Sequence, residues 1–514
     1  MKSARWCWVV ATMLSGCGST PGGNSPGLDA GTSRDAETTV DAGSVADAAT
    51  ADALARADAA TPADAATAID AGSAGDAGSA LDAGTGPDAS PSACAAAGAP
   101  GTVEARVQLG SRSYAAVLAS NAAGDVAYTV ANDTIGFDDS GPIYAEGVVR
   151  LDADLHVRFS YPHGRVVALD AAGNAYVAGS FSAPVDLGGG QVIQPIGAVD
   201  TFLTKLSPTG DVLFARSLAL CGAGIESIAV ARDGRIAVSG DALGTVVLDA
   251  RGDAIRELGF AGQLAFDSAG NLIVGGSFAG TLDLGGGHVL ATAGAADVDG
   301  FVAKVDSAGH AVFGLQIGDA ALPVQVGGFG EVATPRTQAV AGVAIGPNDD
   351  IAIIGNYLYE MSLFGVTLTT PPSFPSGGMA GTFLAQLSAS GAVVRSQQLA
   401  SINASRPIGG TQLRSPYAAT GVLRLPGTPI AVDAQGNIVF SANTTGNSQG
   451  PFSYPQLSKL TPAGALIFSL GNGTGIAGYG AGVAVDGCGN VLWAEYKNEP
   501  SLNDAHTFLT KLAP

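Results

Sequence analysis

The feature that most constrains this chain is a repeat. An apolar run, a turn containing glycine and a second apolar run occur as "AVLASNAAGDVAYTV" (116–130), "VVALDAAGNAYVAGSF" (166–181), "SIAVARDGRIAVSGD" (227–241) and "QLAFDSAGNLIVGGSF" (263–278). They return as "GVAIGPNDDIAIIGNY" (342–357), "PIAVDAQGNIVFSAN" (429–443) and "GVAVDGCGNVLWAEY" (482–496), making seven copies. A second motif of the type "TFLTKLSPTGDVLFARSL" (201–218) follows each copy, and the seventh is cut short at "TFLTKLAP" (507–514). Each motif reads as two strands of about five residues joined by a tight turn. One pair of motifs is therefore a four-stranded antiparallel sheet.

Seven such sheets in tandem predict an all-β fold, a seven-bladed β-propeller. Glycine is 74 of 514 residues and charged residues are only 13%, while mean hydropathy is +0.29. No apolar run reaches the roughly 18 residues that span a bilayer. Blades packed on both faces absorb that apolar content. The expected blades cover 114–161, 164–219, 224–261, 262–318, 338–400, 428–471 and 480–514. The last supplies three strands, and "TVEARVQLG" (102–110) is the expected fourth, closing the ring and removing an exposed edge.

"AVDAQGNI", "FDSAGNLIVGGSF", "DLGGG" and "DTFLTKLSPTGDVLF" resemble the bacterial β-propeller repeat proteins and, more distantly, NHL-type propellers, over roughly 102–514. Blade three departs from the pattern by lacking the "DLGGG" insertion and the Phe-x-x-Lys strand. The resemblance implies a secreted or surface-exposed scaffold, generally without catalysis.

Ahead of the repeats, "MKSARWCWVVATMLSGC" has a basic start, a short apolar stretch and small residues up to Cys17, the pattern of a signal peptide. "LSGC" resembles the lipobox of bacterial lipoproteins, which implies acylation of Cys17 and a membrane attachment through the N-terminal lipid. Gly18 is not the Asp that retains many lipoproteins at the inner membrane, so the outer membrane is the expected address, surface-exposed or periplasmic. Residues 18–93 carry Asp-Ala hexads with almost no bulky side chains and a net charge of −10. Low apolar bulk and like charge predict a disordered tether with an r.m.s. span of roughly 45–50 Å.

The whole chain carries −21 and has no Lys/Arg cluster, which argues against nucleic acid. The D-x-x-G-N turns at Asp170, Asp267, Asp433 and Asp486 offer one carboxylate each and read as hairpin chemistry rather than calcium cages. The five histidines lack zinc spacing, no G-x-S-x-G motif occurs, and no catalytic residue, metal or cofactor is assigned. Lining of the central channel by His163, near a blade entrance, is a minor alternative. Of the five cysteines, Cys94, Cys221 and Cys488 remain after Cys7 and Cys17 are set aside. Turns after first and third strands share one face of a propeller. Cys94 and Cys488 fall on that face and Cys221 on the other, so a Cys94–Cys488 disulfide is expected to lock the closure, though three cysteines allow three pairings.

The longest interruptions are 318–340, 358–381 and 400–428. They gather on the opposite face over blades four to six, where Arg336, Tyr357, Tyr359, Phe364, Phe374, Arg406, Arg414 and Tyr417 are the candidate ligand residues, because loops on rigid scaffolds carry function. The leading expectation is a monomeric, non-enzymatic binding or scaffold module of the cell envelope with a protein or polysaccharide partner. The alternatives are a lyase or hydrolase acting at the channel mouth, and a purely structural envelope component.

Overall fold

The computed structural model describes residues 98–514 except 112, 139–140, 219–223, 241–243, 295–296, 319–337, 359, 370–378, 404–410, 413–422, 425–427, 446–452, 472–477 and 500–503. The described residues form strands and turns without a helix, so no helix among them is long and apolar enough to cross a membrane. Seven four-stranded antiparallel sheets span 113–161, 166–217, 225–258, 263–317, 338–403, 430–471 and 478–512, the last completed by Val103–Ser111. Neighbouring first strands touch all the way round, from 113–120 through 166–169, 225–230, 263–266, 338–345 and 430–432 to 478–485 and back to 113–120. The ring of seven blades is closed.

Each first motif becomes a hairpin because its turn satisfies its own backbone. In blade two, Gly173 N donates to Asp170 O (3.0 Å) and Asp170 N to Asn174 O (3.0 Å). Gly173 has φ +83°, the left-handed position that a three-residue hairpin loop fills with glycine. Second strands are buried on both faces, as in blade three, where all five residues of Ile236–Gly240 are buried, which explains runs of apolar residues without clean alternation. The cores lie between blades. Ile354 and Leu384 of blade five pack with Ile438 and Phe440 of blade six, and Val439 and Leu457 of blade six with Val491 and Trp493 of blade seven.

The "DLGGG" stretches form two-stranded flaps between the second and third strands, pairing 185–186 with 192–193 in blade two and 281–283 with 289–291 in blade four. Blade five carries a third flap, Glu360–Leu363 with Val366–Thr369, inside the 358–381 interruption. Leu187 and Leu284 plug each flap into the core, and Tyr161 of blade one donates its hydroxyl to Leu187 O (2.9 Å).

The fourth strand of the last blade comes from the start of the repeat region. Val103–Ser111 pairs antiparallel with Asp504–Leu512. The turn between these strands is interrupted: Ala513 N donates to Thr102 O (2.8 Å) and Gly101 N to Ala513 O (3.1 Å). These are the two bonds that Ser207, Gly210 and Asp211 make within the continuous turn of blade two. Two distant parts of the chain thus rebuild one hairpin turn without a peptide bond joining them.

Candidate functional site

The charged residues of the repeats converge on the face that bears the first and third turns of every blade. Lys304 Nζ lies 2.7 Å from Asp267 Oδ2 and Lys459 Nζ 2.9 Å from Asp433 Oδ2, both pairs buried. Lys205 and Asp170 (3.7 Å), Lys511 and Asp486 (3.6 Å), and Arg150 and Asp125 (2.7 Å) repeat the arrangement. In blade one the turn residues are exchanged, Asn121 standing first and Asp125 last, and the pair survives. The cations also reach the next blade. Lys304 donates to Ala389 O (3.0 Å), Lys511 to Ala153 O (3.0 Å) and Arg150 to Gly173 O (3.3 Å). Each of these side chains is a staple between neighbours.

The carboxylates in these pairs are saturated. Asp267 accepts Asn271 N (2.7 Å) and Asn271 Nδ2 (2.8 Å) besides Lys304. Burial, the largest influence, pushes its carboxyl up, but the Lys304 and Asn271 bonds together outweigh it and hold it below the ordinary value. Such a group is a structural acceptor. The turn reading of the D-x-x-G-N motifs describes this geometry, but the lysine partner was missed. The signal was present in blade three, where the turn Asp and the strand Lys are missing together.

Blade three has Ala231, Arg235 and Val247 at the three corresponding positions. Its staples are rerouted: Arg235 donates to Gly270 O (2.9 Å), and Arg256 of the outer strand to Ser307 O (3.2 Å) and to Ala308 O. A cleft of about 350 Å³ remains between blades three and four, floored by Val247, Leu258, Leu272 and Val305. Its two arginines already serve backbone carbonyls, and Arg235 also holds Asp233 (2.7 Å).

Where it is described, the bore holds a cavity of about 70 Å³ lined by Val117, Val167, Ile228, Leu264, Val343 and Ile430 and by the polar Glu226, Ser227, Gln263 and Thr428. That volume holds only a few waters. Across it Leu118 N donates to Thr428 Oγ1 (3.0 Å). His163 does not line this bore. Its ring packs edge-on to Tyr161 and Phe202, and Nε2 contacts Asp186 O (3.1 Å) in the flap.

Among the described residues one trio brings metal-ligating atoms together, Asp152, Asp154 and His156, within 4.8 Å of one another. Asp152 Oδ1 accepts the N–H groups of Asp154 (3.0 Å) and His156 (2.9 Å), as Asp249 accepts those of Arg251 and Asp253 in blade three. The trio is the ordinary third turn of its blade.

Of the residues assigned to a ligand face, Tyr357 is a correction. It is fully buried in the core between blades four and five, and burial raises its phenol above the ordinary value. The alternating register of Ile351–Leu358 turns this ring inward against Gly381, which sequence alone did not reveal. Phe364 sits at φ +52° at the tip of the blade-five flap, half-buried on the same core. Arg336, Tyr359, Phe374, Arg406, Arg414 and Tyr417 lie outside the described residues, as do Cys17, Cys94 and Cys221. Cys488 is disulfide-bonded.

No family profile and no curated protein matches the chain. Solved structures similar to the chain include one described as "Structure of U3-55K", at 9% identity and a TM-score of 0.41, covering 80% of this chain and all of that one.

Proposed function

We propose that this propeller is a non-enzymatic binding or scaffold module, attached to the outer membrane of a bacterium through an acylated Cys17 and held off it by the 18–93 tether. The observation that carries the reading is how the ring uses its chemistry. The Asp–Lys and Asp–Arg pairs of its turn face hold one another and, at several junctions, the next blade, so their charge serves the assembly of the ring. A rigid body of this kind supports variable loops, and loops on a fixed scaffold are where partners bind. The interruptions over blades four to six are the proposed partner surface, with protein or polysaccharide as the partner.

Protease shaving of intact cells tests the placement. Release of the propeller by cleavage in the tether supports a surface-exposed module, and release only after the outer membrane is permeabilised supports a periplasmic one. A Cys17→Ala variant that still fractionates with membranes refutes the lipid anchor.

A further inference from the structure

At six of the seven junctions between blades, one contact recurs. The third and fourth strands of each blade slip by one residue at the same place, as between Lys205 and Leu206 or Lys304 and Val305. This bulge aims one outer-strand side chain at the next blade. Phe159, Phe214, Arg256, Phe313, Arg395 and Phe468 occupy that position, opposite Arg150, Lys205, Val247, Lys304, Gln386 and Lys459. Each covers a glycine with positive φ in the next blade: Gly210, Gly252, Gly309, Gly391, Gly464 and Gly101 in turn. A methyl group on Gly210 would fall 2.9 Å from the Phe159 ring, and one on Gly391 or Gly101 2.8 Å from Phe313 or Phe468. These junctions are large side chains seated on glycine.

The seventh junction is inverted. The closing strand pairs Ala105 with Lys511, so Ala105 holds the position that Phe or Arg holds elsewhere. In blade one the turn residue equivalent to glycine is Leu155, identified by the same bonds, Leu155 N to Asp152 O (3.0 Å) and Asp152 N to His156 O (2.9 Å). Leu155 keeps φ +65°, a conformation that disfavours any side chain, and is 6% exposed in the core that Ala105 packs against. The large group has moved from the strand to the turn.

We infer that Ala105 and Leu155 form a lock of inverted size that makes blade one accept only the closing strand as its outer neighbour. The other six junctions are interchangeable in shape, so a tandem repeat has no other steric means, in this contact, of telling a correct closure from one that omits a blade. If blade six were set directly against blade one, Phe468 would meet Leu155, large upon large. If Ala105 were set against a glycine turn such as Gly210, a void would remain. Overpacking and voids are both penalised in a dense interior, so either error costs contact that the native closure keeps.

The test is a swap, made in the full chain and read by thermal unfolding and by amide exchange of residues 103–111. Ala105→Phe and Leu155→Gly should each lower the midpoint and speed exchange in the closing strand. The double variant, which rebuilds the pattern of the other six junctions, should recover at least half of the summed loss in midpoint. Single losses that simply add in the double variant overturn the inference, as does a Leu155→Gly variant indistinguishable from the parent. Should Ala105→Phe fail to accumulate, Ala105→Val in both backgrounds carries the same comparison.

Discussion

Removing the cation from one staple gives the sharpest check on how the blades are held. Lys304→Met deletes the Nζ that sits 2.7 Å from Asp267 and donates to Ala389 O of blade five, while keeping most of the aliphatic stem. Breaking a buried pair by removing one partner costs about 3–5 kcal/mol. Asp267 keeps both Asn271 bonds, which places the loss near 3 kcal/mol, toward the bottom of that range. With an unfolding entropy of about 2.1 cal/mol/K per residue over about 400 residues, that is a fall of about 3–4 °C in midpoint. The measurement is calorimetry of parent, Lys304→Met, Asp267→Asn and the double variant. The lysine change should cost less once Asp267 is neutral, because no uncompensated buried charge is then left behind.

The pH dependence supplies the sign. Asp267 has its carboxyl held below the ordinary 3.8, so its contribution is fully present above that value and is lost as pH falls through the lower folded one. Without Lys304 the burial that raises the carboxyl dominates, and the variant is penalised most at neutral pH. The gap between parent and Lys304→Met should shrink on acidification. A gap below about 1 °C at neutral pH, well under the change that the unfolding entropy predicts, or one that grows toward acid, refutes the assignment of Lys304 as a staple.

Two further outcomes follow from the structure. Burial lifts the Asp299 carboxyl above its ordinary value, against the Gln316 bond that lowers it. Its contribution to stability therefore falls as pH rises from 3.8 through the raised folded value, and Asp299→Asn should remove that slope from urea midpoints measured across the range. A parent that instead gains on the variant as pH rises would contradict this. Non-reducing peptide mapping should find Cys488 joined to Cys94: Gly101 bonds Ala513, and Pro514 reaches Gly489 beside Cys488, whereas Ile225, four residues after Cys221, begins a first strand at the opposite face. A Cys221–Cys488 peptide would refute that pairing.

Much of this architecture was legible because it is local and repeated. Each hairpin is specified within about a dozen residues by two apolar runs and a glycine turn, so seven copies announced seven blades and the missing strand of the last pointed to 102–110. What a blade does to its neighbour was decided only in the tertiary structure. Asp267 and Lys304 lie far apart in sequence and become partners because adjacent strands carry them to the same end of a sheet, and Ala389 joins them from another blade. Phe159 explains Gly210, and Ala105 explains Leu155, only when the ring sets one beside the other. Tyr357 reads as a surface aromatic next to an insertion, yet strand register turns it into the core. Hydrogen bonds along a strand obey sequence spacing. Side-chain contacts between blades obey the geometry of the closed ring, which no single repeat contains.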